Sequence, residues 1–177
     1  MKSMINYTSK SGYSVSLCGT TTTAIIINAL AFAAKREHDT VYAWIIGGCI
    51  IGCNWNNNQD IIKEIATKKL CNEMELSGSV FCYSYKDNTV GIVYETECNY
   101  NDMDQLFRTL RVVSNTVDDD LVFWIVDESD IRSTPAKKWN SMSISERKQD
   151  IKKYYPDGIT ELYYYSKNDH TIKFYQD

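Results

Sequence analysis

The feature that most constrains the fold is a long apolar segment, Ala24 to Ala34. It is entered through Gly19-Thr20-Thr21-Thr22-Thr23 and closed by Lys35-Arg36-Glu37-His38-Asp39. Such a segment has to be buried, and its length limits how. It is shorter than the roughly 18–20 residues that span a bilayer. The charges at 35–39 also separate it from the next apolar run, 41–53. Both runs therefore read as core elements of a folded protein. The alanines and the closing basic residues suit a helix capped by Thr20 or Thr21. The isoleucines suit a hairpin turning at Asn28, with strands near 21–27 and 30–35. The segment is apolar on all sides, so periodicity leaves both readings open.

The remaining pattern alternates short strands with amphipathic helices. Residues 13–18 and 41–46 read as strands, and Gly47, Gly48 and Gly52 mark a bulge or sharp turn. Residues 54–58 read as a loop and 60–74 as a helix with Ile61, Ile62, Ile65 and Leu70 inward. Strands 80–85 and 90–96 form a hairpin across Lys86-Asp87-Asn88-Thr89. A second helix covers 101–115, a fully apolar strand 121–126, and a third helix 144–154 behind the capping box Ser143-Ile144-Ser145-Glu146. Strands 159–165 and 171–175 make a closing hairpin around Lys167-Asn168-Asp169-His170. No internal repeat stands out. The expectation is one α+β domain over 1–177, mostly antiparallel, with three to four packed helices. Residues 1–12 are expected to be a flexible N-terminal segment and 129–141 a mobile loop.

A chain of 177 residues can bury a core without staples. Its formal charge of −4 weighs against a general nucleic-acid binder. The six cysteines, Cys18, Cys49, Cys53, Cys71, Cys82 and Cys98, follow no apolar leader. They read as reduced and buried, in a cytoplasmic protein with no membrane segment. The abundance of Lys, Asn, Ile and Tyr matches coding from an AT-rich genome such as that of a phage or virus.

Two resemblances concern the Gly-Thr turn. Residues 15–70 of this chain, through Gly19-Thr20-Thr21-Thr22, then Ala29-Leu30-Ala31-Phe32-Ala33-Ala34-Lys35-Arg36-Glu37 and Ala43-Trp44-Ile45-Ile46-Gly47-Gly48, resemble a proteasome β-type subunit, an N-terminal-nucleophile hydrolase. The resemblance implies a sandwich fold with Thr20 as nucleophile, freed by removal of residues 1–19, its α-amine serving as base. Lys35 and Glu37 stand where the family has Asp and Arg, and the segment carrying its lysine is missing between Thr40 and Val41. The implied relative is thus degenerate and non-catalytic. The same turn, with the apolar strand ending in Asp127-Glu128, looks like a phosphate-loop nucleotidase lacking the motif's lysine. That pattern implies an anion at Gly19, Thr20, Thr21 and Thr22, and Mg²⁺ or Ca²⁺ at Asp127 and Glu128.

Zinc lacks a ligand set, because Cys49 and Cys53 have no second pair or nearby histidine. Arg132, Lys137, Lys138, Arg147, Lys148, Lys152 and Lys153 interleave with Trp139, Tyr154 and Tyr155, a pattern that binds single strands or forms a solvated helix face. The thirteen tyrosines supply interaction anchors. Trp139, Tyr154, Tyr155, Tyr163 and Tyr165 are the expected surface. The leading expectation is a non-catalytic interaction or regulatory protein on a hydrolase-like scaffold, without a cofactor. Its partner would be another protein or a second copy rather than nucleic acid. A threonine hydrolase and a phosphate or nucleotide binder remain the alternatives.

Overall fold

The apolar segment that left two readings open is a helix. In the computed structural model, α1 spans Thr22–Glu37. Ile25, Ile26, Ile27, Ala29, Leu30, Ala31, Ala33 and Ala34 are all buried. Asn28, Phe32, Lys35 and Arg36 are exposed. A helix apolar nearly all round is covered on more than one side, and α1 packs against strands β1, β2, β3 and β5. That double cover is why no one-sided period was present to read. The structure describes residues 3–8, 14–19, 22–46, 49–54, 78–94, 102–127, 130–156 and 161–176. The loop expected at 54–58 (beyond Asn54) and the helix expected at 60–74 lie outside them.

The chain divides into two compact units, Met1–Leu106 and Phe107–Asp177. In the first, β1 (Ser3–Thr8) and β2 (Ser14–Gly19) form an antiparallel hairpin, with Ser3 opposite Gly19 and Thr8 opposite Ser14. The segment expected to be flexible thus supplies a strand. Ile5, Tyr7 and Thr8 are strand formers, and β2 gives them a partner. Then β3 (Val41–Ile46), β4 (Cys49–Asn54), β5 (Gly78–Ser84) and β6 (Thr89–Tyr94) pair antiparallel in the order β4-β3-β5-β6. The bulge expected near the glycines is present as a register shift between Trp44 and Ile45, opposite Gly52 and Ile50.

The unit boundary falls within α2 (Asp102–Val117). The second unit continues with β7 (Leu121–Asp127), β8 (Asp130–Pro135), α3 (Ala136–Ser141), α4 (Ile144–Lys152), β9 (Tyr163–Ser166) and β10 (Thr171–Phe174). Its strand order is β10-β9-β7-β8, again antiparallel. The architecture is α+β. The loop expected at 129–141 is instead mostly β8 and α3. The start of α3 is tied down where Ala136 N donates to Asp120 O at 2.8 Å and Lys137 N to Asp119 Oδ2 at 3.0 Å. Trp139 anchors α3 in a core with Val122, Trp124, Ala136 and Ile151. The capping box before α4 forms as expected: Glu146 N donates to Ser143 Oγ at 3.3 Å, and Ser143 N to Glu146 Oε2 at 2.7 Å.

From α2 onward the second unit repeats the plan that the first follows from α1 to β6, which corrects the expectation that the chain has no internal repeat. Helices α1 and α2 each have 16 residues and start 80 positions apart. Val41 opposite Tyr83, Tyr42 opposite Cys82 and Ala43 opposite Phe81 become Leu121 opposite Tyr165, Val122 opposite Tyr164 and Phe123 opposite Tyr163. Ser84 opposite Thr89 becomes Ser166 opposite Thr171. Trp44 opposite Gly52 becomes Trp124 opposite Arg132.

Backbone conformation repeats as well. The described non-glycine residues with positive φ are His38 (52°), Asn88 (53°), Asp118 (53°) and His170 (53°), in two matched pairs. Each helix ends by placing its first pair member in the left-handed region, which Asn, Asp and His tolerate best. Beyond it, Asp39 N donates to Ala34 O at 3.3 Å and Asp119 N to Ser114 O at 3.2 Å. Asp39 Oδ1 then accepts from Thr40 N, and Asp119 Oδ1 from Asp120 N. The hairpin turns match too. Ser84 Oγ donates to Asp87 Oδ2 at 2.9 Å, and Ser166 Oγ to Asp169 Oδ2 at 3.0 Å.

Candidate functional site

Gly19 ends β2 and α1 begins at Thr22, so strand and helix flank the Gly-Thr turn as the phosphate reading expected. Thr20 and Thr21, the centre of that turn and of the nucleophile reading, lie outside the described residues. The proteasome resemblance has the threonine open a hairpin; here residues from Thr22 onward are helical. Asp127 ends β7, but its side chain and Glu128 lie outside the described residues. Among the described residues, no three His, Cys, Asp or Glu side chains come together as a metal site. No described helix is long and apolar enough to cross a membrane.

Of the five expected surface aromatics, three belong to the interior. Trp139 and Tyr163 are each 1% exposed and Tyr165 is fully buried. Their apolar bodies fill the sheet face, and the Tyr163 ring stacks on Phe123 at 5.2 Å. Tyr155 is half-buried, its hydroxyl hydrogen-bonded to Ile125 O and Val126 O at the end of β7. Only Tyr154 of the five is well exposed, at 41%.

The surface around Tyr154 is basic. Arg132, from β8, lays its guanidinium 4.3 Å from the Tyr154 ring centroid while its Nη2 contacts Asp130 at 3.0 Å. Arg147 faces inward: its guanidinium lies 5.4 Å from the Trp139 ring, and its Nε donates to Trp139 O at 3.0 Å. Lys153 pairs with Asp150 at 2.9 Å, and Lys137 reaches Asp119 at 4.0 Å. Lys138, Lys148 and Lys152 are exposed and make no ion pair among the described residues. Among the described residues, three buried N–H groups here lack an acceptor: Nε1 of Trp124, Nε1 of Trp139 and Nε of Arg132.

A second constellation, missed in the sequence, surrounds His170. Arg111 Nη2 lies 2.7 Å from His170 Nε2, and the Tyr165 hydroxyl hydrogen-bonds His170 Nδ1. A guanidinium only donates, so Nε2 accepts, and Nδ1 carries the proton toward Tyr165. Phe107 packs edge-on against the imidazole at 5.2 Å. The signal that marks this site is the match of Asn168-Asp169-His170 to Lys86-Asp87-Asn88. In the first unit Ala31, Asn88 and Tyr83 hold the corresponding places, and the buried Tyr83 hydroxyl has no partner among the described residues.

The acidic turn after α2 is likewise committed to structure. Asp120 accepts from the Tyr164 hydroxyl and, at 2.8 Å, from Lys167 N. Burial, then the bond to Asp120, pushes the Tyr164 phenol well above its ordinary range. Burial, then the charge of Glu161, does the same for Tyr163. The hydrogen bond from Lys167 holds Asp118 below the usual carboxylate range. These shifts come from packing and pairing.

No family model, curated protein or solved structure matches this chain.

Proposed function

We propose that the chain is a non-catalytic interaction protein whose second unit carries the docking face, formed by β8, α3, α4 and Tyr154. The observation that carries the reading is the Arg132–Tyr154 stack at 4.3 Å, with both side chains reaching solvent beside uncompensated lysines. Arg and Tyr are residues that anchor interfaces, because both bury much area and bind by stacking and hydrogen bonding together. The polar groups that resemble catalytic ones are used otherwise: His170 has both ring nitrogens bonded, and Asp118, Asp119 and Asp120 fasten the turn after α2.

Amine crosslinking with mass spectrometry tests this. The tagged full chain and an Arg132→Glu/Tyr154→Ala variant are each crosslinked in a cell lysate. The reading expects crosslinks to one protein, concentrated at Lys138, Lys148 and Lys152 and lost in the variant. Crosslinks scattered over the chain, or unchanged in the variant, contradict it.

A further inference from the structure

We infer that the docking face recognises an acidic segment of a partner protein, with apolar residues set among its carboxylates. The inference rests on the reading above and adds the chemistry of the partner. It begins from uncompensated charge. Between Asp130 and Tyr155 the acidic residues are Asp130, Glu146 and Asp150. All three are engaged: Asp130 with Arg132 at 3.0 Å, Glu146 with the N-terminus of α4 at 2.7 Å, and Asp150 with Lys153 at 2.9 Å. Lys138, Lys148 and Lys152 therefore present positive charge that no described acidic group offsets, on a chain whose formal charge is −4.

The shape of the surface narrows the ligand. Ile144, Lys148 and Lys152 follow one another at single-turn intervals, so they form one stripe along α4. Ile144 is 69% exposed at the head of that stripe. An exposed isoleucine in line with two lysines complements a segment that pairs an apolar side chain with carboxylates. Just past the end of α4, Arg132 adds a second indication: its guanidinium is held on the Tyr154 ring at 4.3 Å while 40% of the side chain stays exposed. A carboxylate meeting the exposed edge of that guanidinium would be held by a charge-assisted bond. A nucleic acid fits less well. Sequence-tolerant strand binding uses open aromatic faces, and Arg132 already covers one face of Tyr154.

Fluorescence anisotropy on the full chain tests the inference. One probe is a short fluorescein-labelled peptide of glutamate interrupted by leucine; the other is labelled oligothymidylate of equal length. The peptide is expected to bind, to weaken with added salt, and to weaken about tenfold in Lys148→Glu/Lys152→Glu, because two exposed attractions become repulsions. Both substitutions are on exposed helix positions, and the melting curve by circular dichroism confirms folding. Arg132→Gln is expected to weaken binding without changing the salt response at α4. Tighter binding of the oligothymidylate overturns the inference, as does peptide binding indifferent to the double reversal. A chain that self-associates through these lysines and ignores the peptide overturns it too. Localised crosslinks without peptide binding remove the acidic partner but leave the docking face. The absence of both removes the face as well.

Discussion

Where α1 ends, His38 sets its ring against the edge of Tyr85, with centroids 5.3 Å apart; where α2 ends, Asp118 holds Lys167. The positions correspond, and the chemistry does not. Backbone requirements are kept in both units: a left-handed residue after each helix, an aspartate behind it, and a Ser/Asp pair in each hairpin turn. The side chains that bridge these fixed points have changed from an aromatic contact to an ion pair. The same divergence put His170 and Arg111 where the first unit has Asn88 and Ala31. A repeated frame can therefore persist while one copy takes on polar chemistry that the other lacks.

Substitutions at matched positions can break or sharpen this comparison. The largest effect is expected from the central leucines, Leu30 and Leu110, both buried at the same position of their helices. Replacing either with alanine is expected to cost about 2–5 kcal/mol in denaturant unfolding. A large loss at one and almost none at the other breaks the equivalence of the two helices. Next come exchanges at the turn. His170→Asn keeps a side chain that tolerates positive φ but removes the bonds to Arg111 and Tyr165, so a loss of about 1–3 kcal/mol is expected. Asn88→His is expected to change stability little, since Ala31 offers no guanidinium. Equal effects from the two exchanges contradict the assignment of the polar chain to the second unit.

Alkaline titration reads both units together. Burial raises the phenols of Tyr83 in the first unit, and burial first among causes raises Tyr163 and Tyr164 in the second. The folded chain then holds these protons more firmly than the unfolded chain. Their contribution to stability is complete below the ordinary tyrosine value of about 10 and declines as pH rises through the raised values. Tyrosinate absorbance that appears together with unfolding fits this; full ionisation near pH 10 in a folded chain does not. The smallest effect is expected from copying the first unit's contact into the second with Asp118→His/Lys167→Tyr. The melting temperature is expected to stay nearly constant while its sensitivity to salt at that contact disappears. A large drop in melting temperature means the ion pair is not interchangeable with the ring contact.

Much of the element order was legible because its signals are local. The capping box at Ser143, the apolar strand from Leu121 and the polar hairpin turns carry their own chemistry. The repeat was not legible because few identities survive: Leu30/Leu110, Asp39/Asp119, Trp44/Trp124, Ile45/Ile125, Ile51/Ile131 and the hairpin set Tyr83/Tyr165, Ser84/Ser166, Asp87/Asp169 and Thr89/Thr171. The offset also changes, from 80 residues in the first five pairs to 82 in the hairpin. Burial of Trp139, Tyr163 and Tyr165 was hidden for a different reason. Tyrosine and tryptophan serve surfaces and cores equally well, and only packing decides between them.

The most direct test of a shared frame with divergent chemistry is a pair of single-atom deletions, Tyr83→Phe and Tyr165→Phe, followed by denaturant unfolding of the full chain. Tyr165→Phe removes a hydroxyl bonded to His170 and is expected to lower stability by about 0.5–1.5 kcal/mol or more. Tyr83→Phe removes a buried hydroxyl with no partner among the described residues, so stability is expected to hold or to rise. Opposite or clearly unequal responses support the account. Equal losses at both positions contradict it, because they require a bonding partner for Tyr83 that none of the described residues supplies.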